Sequence, residues 1–287
     1  MERLRKRTQD LKKKRPGYEK MLDFFEGIIE EQEKIKPSLK LESISLKKEW
    51  KRLLTKEGFP LLQKEDFPLD VDASFKLFQS FCEMAEEANP VLAEQAKKVR
   101  KALEMKKLDL TDLLKKGFKE KKITEKAEEL GIDSRIFLFL LQNATKPSIE
   151  AGMKQIQKDI ESEKWSKGIC PVCGSLPHLS LLREEIGRRF LLCSYCGHPW
   201  PAERFLCPFC ESRDQDSLHY FYAEGEEAYR IDVCEKCRHY IKTIDTRKMD
   251  PIDPQLEDLA TLHLDLLATR KGYQRPVPSP WVSEKRG

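Results

Sequence analysis

The sequence predicts an α+β chain in which an all-helical N-terminal domain precedes two tandem metal-stapled hairpin modules and a C-terminal helix. Three observations carry that reading. Up to about residue 165, apolar side chains recur at the period of a helix face. From Gly168 the pattern changes to short alternating runs broken by glycine. Within that stretch lie four Cys-x-x-Cys pairs, Cys170/Cys173, Cys193/Cys196, Cys207/Cys210 and Cys234/Cys237, which use eight of the chain's nine cysteines.

In the helical part, Tyr18, Met21, Leu22, Phe25, Ile28 and Ile29 share one face, and Pro37 ends the pattern. Asp72 is the expected cap of a helix carrying Phe75, Phe78, Phe81 and Met84 to a stop at Asn89-Pro90. Its Cys82 reads as a small buried hydrophobe rather than a reactive thiol. A helix over 91–108 and shorter ones near 110–118 and 124–130 follow. Ser134 or Asp133 opens the apolar run 136–141, a core helix. Ile149, Met153, Ile156 and Ile160 then form a stripe whose helix ends at Trp165.

Residues 178–183 and 188–192, joined through Gly187, read as a hairpin, and 218–223 and 228–233, joined near Gly225, repeat it. The first and third cysteine pairs are 37 residues apart and the second and fourth 41, so one small unit is duplicated. A hairpin with a Cys-x-x-Cys turn at each end describes a rubredoxin-like or zinc-ribbon module. In the tail, Asp253 caps, Pro254 takes the first helical position, and leucines from 256 to 267 continue to a stop at Gly272. The expected domains are therefore a helical one at 1–165, metal modules at 166–203 and 204–245, and a C-terminal helix and tail at 246–287 that rests on the remainder.

A tetrahedral ion takes four soft ligands, and a two-residue spacing turns both thiolates of one knuckle toward one ion. Repetition of the whole unit favours sequential pairing. Cys170, Cys173, Cys193 and Cys196 then hold one ion, and Cys207, Cys210, Cys234 and Cys237 the other. The alternative is a cross-brace joining the first pair to the third. Iron and zinc both accept four sulfurs, and either suits these sites. A closed site has no vacancy for water, which argues against metal-assisted hydrolysis. No catalytic residue and no organic cofactor site is expected. His198 and His239, each two positions after a second cysteine, are surplus to full sites.

Charged residues make up 36% of the 287 and mean hydropathy is −0.62. The longest apolar runs fall well short of a membrane span, and no apolar leader opens the chain, so a cytoplasmic protein without membrane insertion is expected. Paired cysteines in a reducing compartment are metal ligands before they are disulfides. The net charge of +4 is concentrated in residues 1–20, with nine basic and three acidic side chains, read as a solvated helix start. Around the knuckles, arginines interleave with aromatics, but Glu184, Glu185, Glu203, Glu224, Glu226 and Glu227 interrupt any continuous positive surface.

The chain resembles the formate dehydrogenase accessory protein FdhE family. The likeness rests on Cys-Pro-Val-Cys-Gly-Ser at 170–175, Gly-Arg-Arg-Phe-Leu-Leu-Cys-Ser-Tyr-Cys at 187–196, Cys-Pro-Phe-Cys at 207–210 and Cys-Glu-Lys-Cys-Arg-His-Tyr-Ile-Lys at 234–242. It continues in Asp-Leu-Ala-Thr-Leu-His-Leu-Asp-Leu-Leu at 258–267 and Gly272-Tyr273, and upstream in a helix ending at Ala-Thr-Lys-Pro, 144–147. The resemblance implies a cytoplasmic, non-enzymatic assembly factor for a molybdenum- or tungsten-dependent formate dehydrogenase, in contact with its catalytic subunit. It implies a helical domain with two rubredoxin-like modules, iron as the associated metal, and the eight paired cysteines as ligands. Two other classes are compatible with the cysteines, a nucleic-acid-binding zinc ribbon and a rubredoxin-like electron carrier. Two hundred residues of helix and tail exceed what a simple carrier needs.

Overall fold

A computed structural model describes all residues except 47–56, 116–118, 161, 164, 248, 250–252, 278, 280 and 282–287. The chain divides into two compact units, the first Met1–Ser45 with Leu62–Gln157, the second Leu46–Leu61 with Lys158–Gly287.

The first unit is helical: α1 (Glu2–Lys14), α2 (Glu19–Ile35), α3 (Val71–Ala88), α4 (Pro90–Glu104), α5 (Leu110–Lys115), α6 (Glu120–Glu129) and α7 (Ser134–Ile156). Its core joins Leu22 and Ile28 of α2, Phe78 and Phe81 of α3, and Phe137 and Leu140 of α7, all fully buried. Phe78 and Phe137 meet edge to face at 5.8 Å between ring centroids. The basic start is α1 itself, where Arg5 pairs with Glu30 and Lys12 with Asp23, both of α2. Cys82 is buried on α3, and desolvation, with Glu86 and Glu83 nearby, pushes its thiol up to about 12.

Several boundaries differ from expectation. Asp70, not Asp72, caps α3: its carboxylate accepts from Ala73 N at 2.9 Å. Asn89 ends α3 and also caps α4, accepting from the amides of Val91 and Leu92. The helix expected over 91–108 stops at Glu104, because Lys106 turns to φ 55°. The end of the 110–118 helix lies outside the described residues.

The largest difference is in α7, a single helix from Ser134 to Ile156 that runs through Pro147, where the motif reading ended it. A proline inside a helix leaves the carbonyl four residues back without a donor. That carbonyl is Asn143 O, and the buried side chain of Gln32 donates to it at 2.8 Å. A tertiary hydrogen bond replaces the missing helical one. Ile160 and Trp165 fall beyond the helix, which ends at Ile156 before a 3-10 turn over Gln157–Asp159.

In the second unit the two hairpins are β1 (Pro177–Arg183) with β2 (Arg188–Cys193), and β4 (Leu218–Tyr222) with β5 (Tyr229–Cys234). Two strands were not foreseen, β3 (Pro199–Pro201) after the second knuckle and β6 (Tyr240–Asp245) after the fourth. β6 pairs antiparallel with β5 and parallel with β1, Leu179 opposite Lys242 through Leu182 opposite Asp245. The hairpins therefore belong to one six-stranded sheet, in the order β3-β2-β1-β6-β5-β4. Each hairpin alone has a small apolar face, and the parallel seam makes one continuous surface of the two.

One sheet face is apolar: Leu179, Leu181 and Ile244 cluster on it, as do Ile231, Val233 and Tyr240 with Leu264, Ala268 and Tyr273. The expected single C-terminal helix is two, α8 (Pro254–Ala260), capped by Asp253, and α9 (Leu262–Arg270), with Thr261 at φ −120° between them. The break turns the carbonyls of Asp258 and Thr261 toward the ammonium of Lys242. Lys242 is 2% exposed and also pairs with Asp258 and Asp265, each at 2.6 Å. Arg275 closes the group on the same two carboxylates, and Tyr240 donates to Asp265 at 2.7 Å. Among described residues no helix is long and apolar enough to cross a membrane.

Candidate metal centres

All four knuckles share one backbone design. Gly174, Gly197, Glu211 and Arg238 directly follow the second cysteine of each pair, and all four have φ between 57° and 71°. That left-handed residue reverses the chain, so the amide of each first cysteine bonds back to Ser175 O, His198 O, Ser212 O or His239 O. Open space beyond an added Cβ at Gly197 shows that glycine there answers the dihedral, not a clash. The second module uses Glu and Arg at a position that costs such residues about 1–2 kcal/mol. Their side chains are engaged: Glu211 accepts from Gly168 N at 3.1 Å, and Arg238 stacks over Tyr273 at 4.1 Å.

The turns bring the eight sulfurs into two groups, Cys170, Cys173, Cys193 and Cys196, and Cys207, Cys210, Cys234 and Cys237, each with all ligand atoms within 4.8 Å of one another. The pairs meet sequentially. A metal–sulfur bond of about 2.3 Å puts tetrahedral sulfurs about 3.8 Å apart. Here Cys170 and Cys173 each lie 3.7 Å from Cys196. Cys207–Cys237 is 3.6 Å and Cys210–Cys234 3.7 Å, while Cys173–Cys193 is closer at 3.3 Å. Amides of Val172, Tyr195 and Cys196 point at Cys170 or Cys193 sulfur at 3.4 Å, donors suited to thiolates. Each group fits one tetrahedral ion, and iron and zinc both suit four sulfurs.

Burial separates the two. All four sulfurs of the first group belong to buried residues, whereas in the second Cys210 is exposed and Cys237 half-buried. Desolvation pushes the Cys170 and Cys196 thiols well above their ordinary value. A bound cation is what would hold that first group as thiolates, releasing protons as it binds. The two groups are physically tied. A Cβ built on Gly168, two residues before Cys170, would fall 1.9 Å from Pro208 O in the third knuckle, so only glycine permits that approach.

No histidine joins either group among the described residues. His198 bonds Ser162 Oγ at 2.8 Å, and His239 stands edge-on to Phe209 at 5.7 Å. Sequence reasoning missed the charges buried around the sheet. Arg189, 3% exposed, reaches Asp232 at 3.7 Å and donates to Leu206 O at 2.8 Å, tying β2 to the third knuckle's approach. The available signal was a charged residue inside an alternating strand run, as with Lys242 between Ile241 and Thr243.

Residues 169–204 match the family model described as "FdhE, central domain", and residues 206–282 that of "FdhE, C-terminal domain". A "Protein FdhE homolog" of Aquifex aeolicus (strain VF5) is 37% identical over 148 residues, 50% of this chain and 52% of that one. "Protein FdhE" of Escherichia coli O127:H6 is 32% identical over 121 residues, 41% of this chain and 38% of that one. The chain spans about half the length, or less, of these curated relatives. The crystal structure of the FdhE protein from Pseudomonas aeruginosa shares the fold at TM-score 0.68 and 20% identity, covering 96% of this chain and 93% of that one.

Proposed function

We propose that this chain, whose residues 169–204 and 206–282 match the FdhE family's domains, is a non-catalytic maturation factor of that family that holds the catalytic subunit of a molybdenum- or tungsten-dependent formate dehydrogenase in the cytoplasm. The observation that carries this is a pair of closed four-cysteine groups on a single sheet, in the two stretches that match the family's domains. Each group takes one iron or zinc ion through Cys170, Cys173, Cys193 and Cys196, or through Cys207, Cys210, Cys234 and Cys237. Four thiolates leave no position for substrate, so the ion supplies folding energy and the surrounding surface supplies function.

Affinity-tagged protein recovered from native lysate, with mass spectrometry of what co-elutes, tests the reading. The catalytic subunit is expected above an untagged control, and should be lost with Cys170→Ser. Recovery equal to the control, from protein carrying both metals, would overturn it.

One observation favours a second role. Cys210 is exposed, which gives the second centre an edge for electron exchange if it holds iron. Visible absorption that bleaches and returns on reduction and reoxidation supports that role; a colourless protein with two zinc ions removes it.

A further inference from the structure

Beside the second metal centre, on the sheet face opposite α8 and α9, lies a cleft of about 270 Å³. One wall is the loop bearing Phe205 and Phe209, and the other is strands β4 and β5. Three guanidiniums, Arg189, Arg204 and Arg230, line it against one carboxylate, Asp232. Arg189 is spent on Asp232 and on loop carbonyls. Arg230 sets its Nε 2.9 Å from Asp232 as an ion pair without hydrogen-bond geometry, and lies over the Tyr220 ring at 4.7 Å. Arg204 holds the carbonyls of Ile186 and Gly187 through Nη2. Both side chains line the cleft. Phe205 and Tyr220, 50% and 59% exposed, form its rim.

The same place is a sheet edge. β4 is the last strand in the order, and among described residues nothing pairs with its outer side. Glu235 N donates to Ser217 O at 2.9 Å, one step outside the Leu218–Cys234 pair. That pair is therefore a non-hydrogen-bonded one, and alternation carries the pattern along the strand. His219 and Phe221 spend their main-chain groups on β5. Tyr220 and Tyr222 turn theirs outward, and their side chains stand on the cleft's face.

We propose that the β4 edge and this cleft form a docking site for an extended acidic peptide segment, which adds to the sheet as a seventh strand and sets a carboxylate against Arg230 and Arg204. An edge that offers N–H and C=O in alternation matches a polypeptide, which supplies both; a nucleic-acid backbone supplies phosphate acceptors. A second copy of this chain would bring the same cationic cleft against itself. The inference rests on the proposed client-binding role only for the identity of the protein donating the segment.

The probes are labelled synthetic eight-residue peptides alternating valine or threonine with glutamate, with a matching lysine series, measured by fluorescence polarisation on the full metal-loaded chain. The glutamate series should saturate and the lysine series bind at least about tenfold more weakly, the worth of one charge-assisted pair. Arg230→Glu should lose the difference. Tyr220→Pro removes an outward donor while sparing the β4–β5 ladder, and should weaken binding at least about tenfold with both metals retained. Bound peptide should slow amide exchange at Tyr220 and Tyr222. Equal binding of both series, or of either variant, overturns the proposal, as does failure of every glutamate peptide to saturate. A peptide-free dimer broken by Tyr220→Pro would assign the edge to a second copy, and preferential binding of oligouridylate would assign it to nucleic acid. Peptide binding without formate dehydrogenase recovery would sink only the functional reading; recovery unaffected by Tyr220→Pro, together with peptide failure, would sink only this site.

Discussion

Gln32 Nε2 donates at 2.8 Å to Asn143 O, the carbonyl that Pro147 leaves without a partner inside α7. Gln32→Leu should strand that buried oxygen and cost about 1–3 kcal/mol. In Gln32→Leu with Pro147→Ala, the alanine N–H can serve the carbonyl, so the double variant should recover stability relative to the single. Urea unfolding of the four proteins in the cycle measures this. Additive losses would show that the two residues act independently.

Lys242 should behave as a buried charge whose loss exposes its partners. Lys242→Met leaves Asp258 and Asp265 with Arg275 as the remaining cation of the group, and removal of one partner from such a group costs about 3–5 kcal/mol. Combining it with Asp265→Leu should cost less than either change alone, since the unpaired carboxylate goes as well. Thermal and urea midpoints of the three variants are the readout. Equal losses from a conservative Lys242→Arg and from Lys242→Met would point to packing instead.

The two metal centres should release their ions at different rates. Elemental analysis is expected to return two equivalents per chain. A colorimetric chelator should then withdraw them in two phases, the faster from the group containing exposed Cys210. Cys210→Ser should abolish the fast phase and spare the slow one, while Cys170→Ser should cost solubility, because its module loses the ion that staples it. A single phase carrying two equivalents would contradict the difference in burial.

The cap of α7 should make a pH-dependent contribution. Asp133 accepts from Arg135 N at 2.9 Å, and its side-chain bond to Arg135, with that amide bond, outweighs partial burial and holds the carboxyl below its ordinary value. A depressed carboxyl stabilises fully above its unfolded value, about 3.9, and progressively less as pH falls through the lower folded value. The stability difference between the native chain and Asp133→Ala should be about 1 kcal/mol near neutrality and shrink below about pH 4. A difference that grows on acidification would reverse the sign and refute the assignment.

What the sequence determined by itself was local. Two residues between cysteines and hairpin glycines at 187 and 225 act within a few residues, so knuckles and ribbons are legible without a fold. The helical half is legible for the same reason, its apolar faces repeating within single turns. Tertiary structure decided what depends on distant partners. Pro147 reads as a stop unless Gln32, more than a hundred residues earlier, supplies its missing hydrogen bond. The break at Thr261 serves an ammonium on another element. The parallel pairing of β1 with β6 leaves no local signature, because parallel strands are joined through long connections and their register is set by the shared apolar face. That one seam turns two small ribbons into a single sheet with β3 and β4 at its two ends.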